Sequence, residues 1–408
     1  MLISHEKAYQ IVMKHVKPLS VETRELHQSL NYVLAEKIKA DRDMPPAARS
    51  VMDGYALNLD ASIKGASTFH VVGECPAGRM NRRRIKPGEA MRIFTGANIP
   101  PGANSVAIVE QAVEENGMVT IQGRVVKCQF IFKQGENARK GAILLDAGTM
   151  MQPHHVGICA AVGKSVVKVF PKPSILILST GTEIKDIEDR ITKYETRNSN
   201  APMISAALEQ NHFKSQIMHL PDDPSLLTKE LEKAIRKFQF IISIGGVSKG
   251  NYDYIRQSIL NLGGAIHYHG IRMKPGKPQL FARMNQHALF YGLPGNPLSS
   301  LVGCYEFVLP ALKRMSGLDI ALCKSTVQAK LSQTVLNDDD RARFYLGRLT
   351  VQDSQLWVKP ISSNSSADIP ACREANGTLI IPLNKKRLKK GEQVDFSLWP
   401  PSPFPWNF

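Results

Sequence analysis

Residues 240–250 read FIISIGGVSKG, in which a short apolar run leads directly into a pair of glycines. A run of this kind without polar alternation is typical of a central strand in a parallel sheet, where both faces are covered. Similar runs occur at 174–178, 216–219 and 288–291. Helical patterns occupy the segments 202–210, 225–238, 252–260 and 298–315. The alternation predicts a doubly wound α/β domain with its ligand loops at the carboxyl ends of the strands.

The sequence changes in texture on both sides of this region. Residues 5–16 and 23–38 have apolar positions at helical spacing, which predicts two opening helices. Residues 50–137 contain short apolar runs separated by Pro-Gly and Asn-Gly pairs, the punctuation of a β-rich module. Beyond about residue 320 the pattern is strand-like again and predicts a small β-barrel or sandwich. The 408 residues are therefore expected to form several domains.

The composition restricts the kinds of ligand and location. The formal net charge is +16, which favours polyanionic ligands in general. Aromatic residues make up only 7%, and the densest basic cluster, Arg82 to Arg84, has no aromatic neighbour in sequence, so we expect no nucleic-acid binding. No apolar run is long enough for a membrane span, and the N-terminus does not resemble a signal peptide. Six cysteines without a C-x-x-C pair favour reduced thiols in the cytoplasm.

Polar and glycine-rich loops follow the predicted strands. Ser179-Thr180-Gly181-Thr182-Glu183 follows the first strand, and Gly245-Gly246-Val247-Ser248 follows the third. Glycines at such places let backbone N–H groups approach an anion or a flat ring closely. Carboxylates occur in the same loops, at Glu183, Asp222, Asp223 and Asp253. Hard oxygen ligands of this kind suit Mg²⁺ and a phosphorylated ligand, although Asp223 alone is expected to be a helix N-cap.

Two further loops contain proline and glycine in a rigid arrangement. Lys274-Pro275-Gly276-Lys277-Pro278 presents two cations three residues apart in a stiff frame. Gly292-Leu293-Pro294-Gly295-Asn296-Pro297 follows the last strand, with Asn296 as the expected N-cap and Pro297 as the first residue of a helix. That helix would direct its N-terminus toward the carboxyl edge of the sheet, where an anion is stabilised.

The order of these motifs resembles one known family. Together with Ser50-Val51-Met52-Asp53-Gly54-Tyr55-Ala56 and Thr95-Gly96-Ala97-Asn98-Ile99-Pro100, they are similar in register, from about residue 5 to 400, to the molybdopterin molybdenumtransferases, the group of MoeA and the gephyrin E domain. The resemblance implies a multidomain α/β plus β fold. Its domains would be a mixed, discontinuous linker domain (1–44 and 138–171), a β-rich insert domain facing the partner subunit (45–137), a doubly wound pterin-binding α/β domain (172–320) and a C-terminal β-barrel (321–408).

The resemblance also implies a reaction and its residues. The reaction is Mg²⁺-dependent insertion of molybdate into adenylylated molybdopterin, with release of AMP, in a homodimer that works beside other enzymes of the pathway. The implied catalytic residues are Asp53 and Thr95 from one chain and Glu183, Asp253, Lys274 and Lys277 from the other, with Glu183, Asp222 and Asp253 as Mg²⁺ ligands. The implied substrate-binding residues are Ser179, Thr180, Gly181, Asp222, Asp223, Gly245, Gly246, Val247, Ser248, Pro294, Gly295, Asn296, Pro297, Arg341, Arg343, Ser365 and Ser366.

One departure from the family pattern leaves other functions open. Where the family continues into Gly-Glu-Asp, this chain reads Gly135-Glu136-Asn137-Ala138-Arg139-Lys140-Gly141, without the acidic pair. A pterin-binding scaffold paralogue without turnover is therefore one alternative. A molybdopterin adenylyltransferase, which shares the α/β fold in a single domain, is the other.

Overall fold

The computed structural model describes residues 2–60, 62, 65–79, 81–246, 254–285 and 287–399. The chain divides into two compact units. The first contains Met1–Ala35, Gly148–Gln152 and Val167–Phe408, and the second contains Glu36–Ala147 and Pro153–Val166. The four domain boundaries expected from the resemblance remain a prediction.

The strands are numbered in chain order. Up to residue 170 they are β1 Glu22–Glu25, β2 Val33–Leu34, β3 Ile38–Lys39, β4 Arg49–Ser50, β5 Gly54–Leu57, β6 Ser67–Cys75, β7 Glu89–Ile93, β8 Ser105–Ile108, β9 Ala112–Glu115, β10 Met118–Ile121, β11 Ile131–Phe132, β12 Ile143–Leu145 and β13 Val166–Phe170. The later strands are β14 Ile175–Thr180, β15 Ile184–Lys185, β16 Thr196–Arg197, β17 Ser215–Leu220, β18 Phe240–Ile244, β19 Ala265–His269, β20 Met273–Lys274, β21 Leu280–Arg283, β22 Leu289–Leu293, β23 Thr326–Leu331, β24 Val335–Leu336, β25 Ala342–Gln352, β26 Gln355–Ile361, β27 Gly377–Ile381, β28 Arg387–Leu388 and β29 Gln393–Leu398.

The helices are numbered in the same way. They are α1 His5–His15, α2 Pro153–Ala161, α3 Asn200–Gln210, α4 Pro224–Lys237, α5 Tyr254–Asn261, α6 Pro297–Gly303 and α7 Leu309–Met315. A π-helical turn, Cys304–Val308, joins α6 to α7, and 3₁₀ turns lie at Leu26–Gln28, Val109–Gln111, Ile320–Leu322 and Ile369–Glu374. Every helix among the described residues is too short or too polar to span a lipid bilayer.

A six-stranded sheet forms the centre of the first unit, in the order β17-β14-β18-β22-β21-β19. The first four strands are parallel and β21 is antiparallel to both neighbours, so the predicted mostly parallel sheet is confirmed. Alternate residues of each strand face opposite cores. Ile175 and Ile177 of β14 pack with α1, α3 and the α6–α7 segment, whereas Leu176 and Leu178 pack with α4 and α5.

The predicted β-barrel or sandwich at the C-terminal end is a closed barrel. Strands β25, β26, β23, β29 and β27 pair in this order, and β27 closes the ring by pairing with β25. Phe396 and Leu379 are fully buried inside it. Strand β20, which comes from the α/β region, adds to this sheet by pairing with the start of β25. The barrel is thereby joined directly to the segment that contains Lys274.

The second unit contains a six-stranded sheet in the order β8-β5-β7-β6-β10-β9. Tyr55 and Leu57 of β5 face one core, and Ala56 faces another. The β-rich module expected from residues 50–137 is therefore present.

The second of the two predicted opening helices is wrong. Residues 5–15 form α1, but residues 23–38 form parts of β1, a 3₁₀ turn, β2 and the start of β3. Val33 and Leu34 are buried because they pair with β13, more than a hundred residues later. This long-range pairing outweighs the helical spacing of the apolar residues.

Candidate active site

A cavity of about 760 Å³ lies at the carboxyl edge of the α/β sheet. The loops after β14, β17, β18 and β22 all contribute to its wall, as expected for a sheet of this type. Of the predicted residues, it is lined by Ser179, Thr180, Gly181, Glu183, Asp222, Gly245, Gly246, Pro294, Gly295, Asn296 and Pro297. The structure thus brings together residues that are separated by more than a hundred positions in sequence.

Two buried polar atoms in the wall have no hydrogen-bond partner among the described residues. They are Oγ1 of Thr180 and Oδ1 of Asn200. Nδ2 of Asn200 donates to the carbonyl of Gly295 at 2.6 Å, which leaves Oδ1 as a free acceptor. An unpaired buried polar atom costs free energy, and a polar ligand would remove that cost. The cavity therefore suits a ligand with hydrogen-bonding groups.

The glycines after β18 provide the close approach that this cavity needs. A Cβ on Gly245 would lie 3.1 Å from the carbonyl oxygen of Thr180, and one on Gly246 would lie 2.8 Å from Ile255. Both glycines also have positive φ angles, +88° and +66°. Larger residues would meet both a steric and a conformational penalty here.

The three described carboxylates differ in their surroundings. Glu183 is exposed and lines the cavity. Oδ2 of Asp222 accepts the N–H of Thr182 at 3.2 Å, and the N–H of Asp222 donates to Oγ1 of Thr182 at the same distance. Oδ1 of Asp223 accepts the N–H groups of Ser225 and Leu226 and caps α4. The hydrogen bonds from Leu226 and Ser225 lower the pKa of Asp223, in agreement with the N-cap interpretation.

A second cavity, of about 380 Å³, contains the predicted cations. It is lined by Lys274, Lys277, Arg341, Arg343, Ser365 and Ser366, among other residues. Pro278, Pro294 and Asn296 line both cavities. The two spaces are therefore neighbours, with the carboxylates at one and the lysines at the other.

Asp339 contacts two of the cations that line this second cavity, and sequence reasoning missed it. Its carboxylate accepts from Nε and Nη2 of Arg341 at 2.6 and 2.5 Å and lies 3.1 Å from Nζ of Lys274. The hydrogen bonds from Arg341, followed by that from Lys274, hold the pKa of Asp339 well below its usual range. The run Asp338-Asp339-Asp340 just before Arg341 was the available signal. Lys277 has no ion pair within the described part of the chain.

Asn296 occupies the predicted N-cap position of α6 but does not cap it through its side chain. Nδ2 of Asn296 instead donates to Oγ of Ser366 at 2.8 Å, and the N–H of Leu298 donates to the carbonyl of Ser366 at 3.0 Å. The segment containing Ser365 and Ser366 is thus attached to the start of α6. These bonds explain why two distant serines line the same cavity as Lys274.

Arg197 and Asn200 also line the larger cavity and were not predicted. The guanidinium of Arg197 donates to the carbonyls of Ile187 and Asp189. The polar run Arg197-Asn198-Ser199-Asn200, which leads into the first residue of α3, was the sequence signal for both residues.

Asp53 and Thr95 belong to the second unit, whereas the other described candidates belong to the first. Oδ1 of Asp53 accepts from N–H and Oγ1 of Thr95 at 2.6 and 2.8 Å, and these bonds lower the pKa of Asp53. Gly54 must be a glycine because a Cβ there would lie 1.8 Å from the carbonyl oxygen of Ala107 on β8. The motif therefore presents an exposed carboxylate directly before β5, an inner strand that packs closely against β8.

The loop with the missing acidic pair is held by a carboxylate from elsewhere in the second unit. Oδ1 of Asp43 accepts the N–H of Lys140 at 2.9 Å, and Oδ2 accepts from Nε2 of Gln134 at 2.8 Å. The loop without the acidic pair therefore has an acidic side chain hydrogen-bonded to it.

Three predicted site residues, Val247, Ser248 and Asp253, lie outside the described residues. Within the described ranges, no group of three or more His, Cys, Asp or Glu residues is arranged to hold a metal ion. The described part of the predicted Mg²⁺ set is therefore the pair Glu183 and Asp222, which line the same cavity.

Comparison with known proteins identifies the family. Residues 3–163 match the MoeA N-terminal region (domain I and II), residues 176–314 a probable molybdopterin binding domain, and residues 328–399 the MoeA C-terminal region (domain IV). The molybdopterin molybdenumtransferase of Staphylococcus aureus (strain COL) is 30% identical over 402 residues, covering 96% of this chain and 94% of its own. That of Bacillus subtilis (strain 168) is 31% identical over 404 residues, covering 96% and 93%.

The fold has a close counterpart among solved structures. The crystal structure of the molybdopterin biosynthesis MoeA protein from Pyrococcus horikoshii OT3 superposes with a TM-score of 0.81 at 25% identity, covering 98% of this chain and 100% of that one. The family regions, the relatives and the fold agree over nearly the whole chain. This chain therefore belongs to the molybdopterin molybdenumtransferases, a family of transferases in molybdenum cofactor biosynthesis.

Proposed function

We propose that this protein inserts molybdate into adenylylated molybdopterin in a Mg²⁺-dependent reaction that releases AMP. The observation that carries the proposal is the pair of neighbouring cavities, one with carboxylates and unpaired hydrogen-bonding groups, the other with two lysines and two arginines. The larger space suits a flat, polar pterin nucleotide, and the smaller suits a tetrahedral oxyanion. The name shared by the curated relatives supports the same reaction.

The cationic cavity supports a binding and orienting role for its lysines. Lys274 and Lys277 project from a stiff loop, and charge-assisted hydrogen bonds from an ammonium group to an oxyanion are among the stronger polar contacts in proteins. Cations placed beside a position where negative charge develops stabilise the transition state. They do so more strongly in a site that excludes water than they would in bulk water. We therefore propose that Lys277, with Lys274, holds molybdate next to the bound pterin, and that Arg341 and Arg343 contribute to the rim.

The described carboxylates fit a Mg²⁺ ion that is shared with substrate phosphates. Mg²⁺ is usually held by one or two carboxylates, with phosphate oxygens and water completing an octahedron. Glu183 is exposed, and Oδ1 of Asp222 is not used by Thr182. The ion would supply charge neutralisation at the leaving phosphate. Glu183 and Asp222 would hold the Mg²⁺ ion, with Asp253 as the proposed third ligand.

We extend the proposal to a homodimer in the cytoplasm. By family resemblance, Asp53 and Thr95 would act with the α/β region of the partner chain. Other enzymes of the pathway would deliver the pterin to the dimer. The six cysteines are all unpaired thiols, which supports a reducing compartment.

The direct test is release of AMP from adenylylated molybdopterin. The full-length protein is incubated with this substrate, molybdate and Mg²⁺, and AMP is measured by chromatography. We expect AMP to appear only when molybdate and Mg²⁺ are both present. Release at the same rate without molybdate would contradict the proposal.

Two further measurements, pterin-nucleotide binding and ATP consumption, separate the two alternatives. A scaffold paralogue would bind the pterin nucleotide saturably and release no AMP. An adenylyltransferase would instead consume ATP with free pterin as acceptor.

A further inference from the structure

Gln279 is a fully buried polar residue directly after the segment Lys274–Pro278, which we call the lysine loop. Its Nε2 donates to the carbonyl of Gly276 at 2.7 Å and lies 3.1 Å from the sulfur of Met273. Its Oε1 accepts from the hydroxyl of Tyr291 at 2.8 Å. A buried amide that satisfies both of its ends in this way is an unusual choice at a position inside a sheet core.

Two glycines create the space that this carboxamide occupies. A Cβ on Gly276, in the lysine loop, would lie 2.8 Å from Nε2 of Gln279. A Cβ on Gly303, at the end of α6, would lie 2.8 Å from Oε1. Gly276 also has a φ of +102°, which other residues rarely adopt. The slot is therefore shaped for this one amide from both sides.

The lysine loop is anchored at three points. Its first part belongs to β20, which pairs with β25 of the barrel. Its last part is closed by the N–H groups of Ile271 and Gln279, which both donate to the carbonyl of Lys277, at 2.9 and 3.1 Å. Its apex, Gly276, is held from the core by the side chain of Gln279.

The buried hydroxyl of Tyr291 fixes the orientation of the amide, and the neighbouring Tyr268 contacts Tyr291 but not Gln279. The hydroxyl of Tyr268 donates to that of Tyr291 at 3.0 Å, and the hydroxyl of Tyr291 in turn donates a hydrogen bond to Oε1 of Gln279. Complete burial raises the pKa of both phenols far above the ordinary value, so both remain neutral donors. Since Oε1 accepts this hydrogen bond, Nε2 must face the carbonyl of Gly276.

We propose that Gln279, oriented by Tyr291, is a positioning residue that fixes the apex of the lysine loop and so sets the spacing of Lys274 and Lys277 for oxyanion binding. This inference rests on the function proposed above. Lysine side chains are flexible, so the precision of a two-lysine site depends on how firmly the backbone beneath them is held. Displacement of a binding group by about 1 Å is enough to weaken a site considerably.

The test is the substitution Gln279→Met, which keeps the side-chain volume and removes both hydrogen bonds. We expect the molybdate concentration for half-maximal turnover to rise about tenfold, or ~1.4 kcal/mol, while the rate at saturating molybdate stays within about twofold. The matched pair is Tyr291→Phe and Tyr268→Phe. The first removes the donor to Gln279 and should shift molybdate dependence in the same direction, whereas the second removes a hydroxyl that does not touch Gln279 and should leave it unchanged.

Amide hydrogen exchange provides a readout that does not depend on turnover. The backbone amides of residues 271 and 279 both donate to the carbonyl of Lys277. In Gln279→Met these two amides should exchange faster than in the unsubstituted protein. If the unsubstituted protein shows no molybdate-dependent turnover, the proposed function fails while exchange still tests the anchoring of the loop. Unchanged exchange and unchanged molybdate dependence would overturn the inference, as would early melting with normal molybdate dependence. If Gln279→Met does not fold, the comparison of Tyr291→Phe with Tyr268→Phe decides the question by the same two measurements.

Discussion

Lys274 and Lys277 are three residues apart on one loop, yet their charges are used differently. Lys274 already has a carboxylate neighbour, Asp339, at 3.1 Å. Lys277 is exposed and has no ion pair within the described residues. At the scale of single residues, we therefore expect Lys277 to be the cation most available to an incoming anion.

Substitution of Lys277 by Ala should impair oxyanion binding and leave folding nearly unchanged. One charge-assisted contact contributes on the order of 1.5–3 kcal/mol, so the molybdate concentration for half-maximal turnover should rise roughly tenfold or more. Lys277→Arg should restore it only in part, because a planar guanidinium does not replace a compact ammonium. The measurements are AMP release against molybdate concentration and a thermal melt. Early melting with normal molybdate dependence would show that the lysine is structural.

Substitution of Asp339 by Asn should change both anion affinity and the response of stability to acid. Loss of the carboxylate leaves Lys274 and Arg341 uncompensated, so we expect half-maximal turnover at a lower molybdate concentration. The folded-state pKa of Asp339 is depressed, so its stabilising contribution is present above the unfolded value of about 3.9 and is lost as pH falls through the folded value. Urea unfolding should therefore show a difference between the two proteins at pH 7 that shrinks below about pH 4. A difference that stays constant across this range would argue against the ion pair.

At the scale of secondary structure, the segment from α6 to α7 shows how one element places a buried charge. Pro310 has no N–H to give to the carbonyl of Glu306, and the helix passes through a π-helical turn at Cys304–Val308. Glu306 lies in this turn, fully buried, with His5 of α1 at 3.0 Å and Lys324 at 2.8 Å. Burial alone would raise the pKa of Glu306, but Lys324 and His5 outweigh it and hold the pKa well below its usual range.

Replacement of Glu306 by Gln should lower the free energy of unfolding by about 3 kcal/mol, since removing one member of a buried ion pair leaves the other uncompensated. The matched control is Glu232→Gln in α4. Its partner Arg236 lies at 2.6 Å on the surface, and such exposed pairs contribute roughly 0.5 kcal/mol or less. Chemical denaturation of both variants measures the difference. Equal effects would mean that the cluster of Glu306, His5 and Lys324 contributes little to stability.

The elements that could be predicted from sequence are those whose pattern is local. Strand β18 has the predicted bounds, 240–244, and α3 and α4 begin within two residues of the predicted starts. Residues 23–38 failed because the partners of Val33 and Leu34 are distant in sequence. In the same way, motifs located most candidate residues, whereas Asp339 and Gln279 gain their meaning only from contacts that close when the barrel and the sheet have formed.

At the scale of the whole molecule, we predict a homodimer with shared active sites. Asp53 and Thr95 form an exposed, ordered pair that has no task within the cavities described in the first unit. An Asp53→Asn chain mixed with a Lys277→Glu chain should therefore recover part of the lost activity, because one site in each hybrid dimer would be intact. The measurements are molar mass in solution and AMP release after subunit exchange. A monomeric mass with full activity, or no recovery despite proven exchange, would contradict shared sites.

The pairing of β20 with β25 has a consequence for how such a protein can be altered or inherited. Lys274 is the last residue of β20, which pairs with β25 of the barrel. Its carboxylate partner, Asp339, lies three residues before β25 begins. The lysine site thus depends on residues of both the α/β region and the barrel, so neither region carries the site by itself. A chimera with the barrel of a relative would also replace β25 and Asp339, the strand and the carboxylate that contact Lys274. Recombination is therefore expected to succeed only where β20 and β25 both come from the same parent protein.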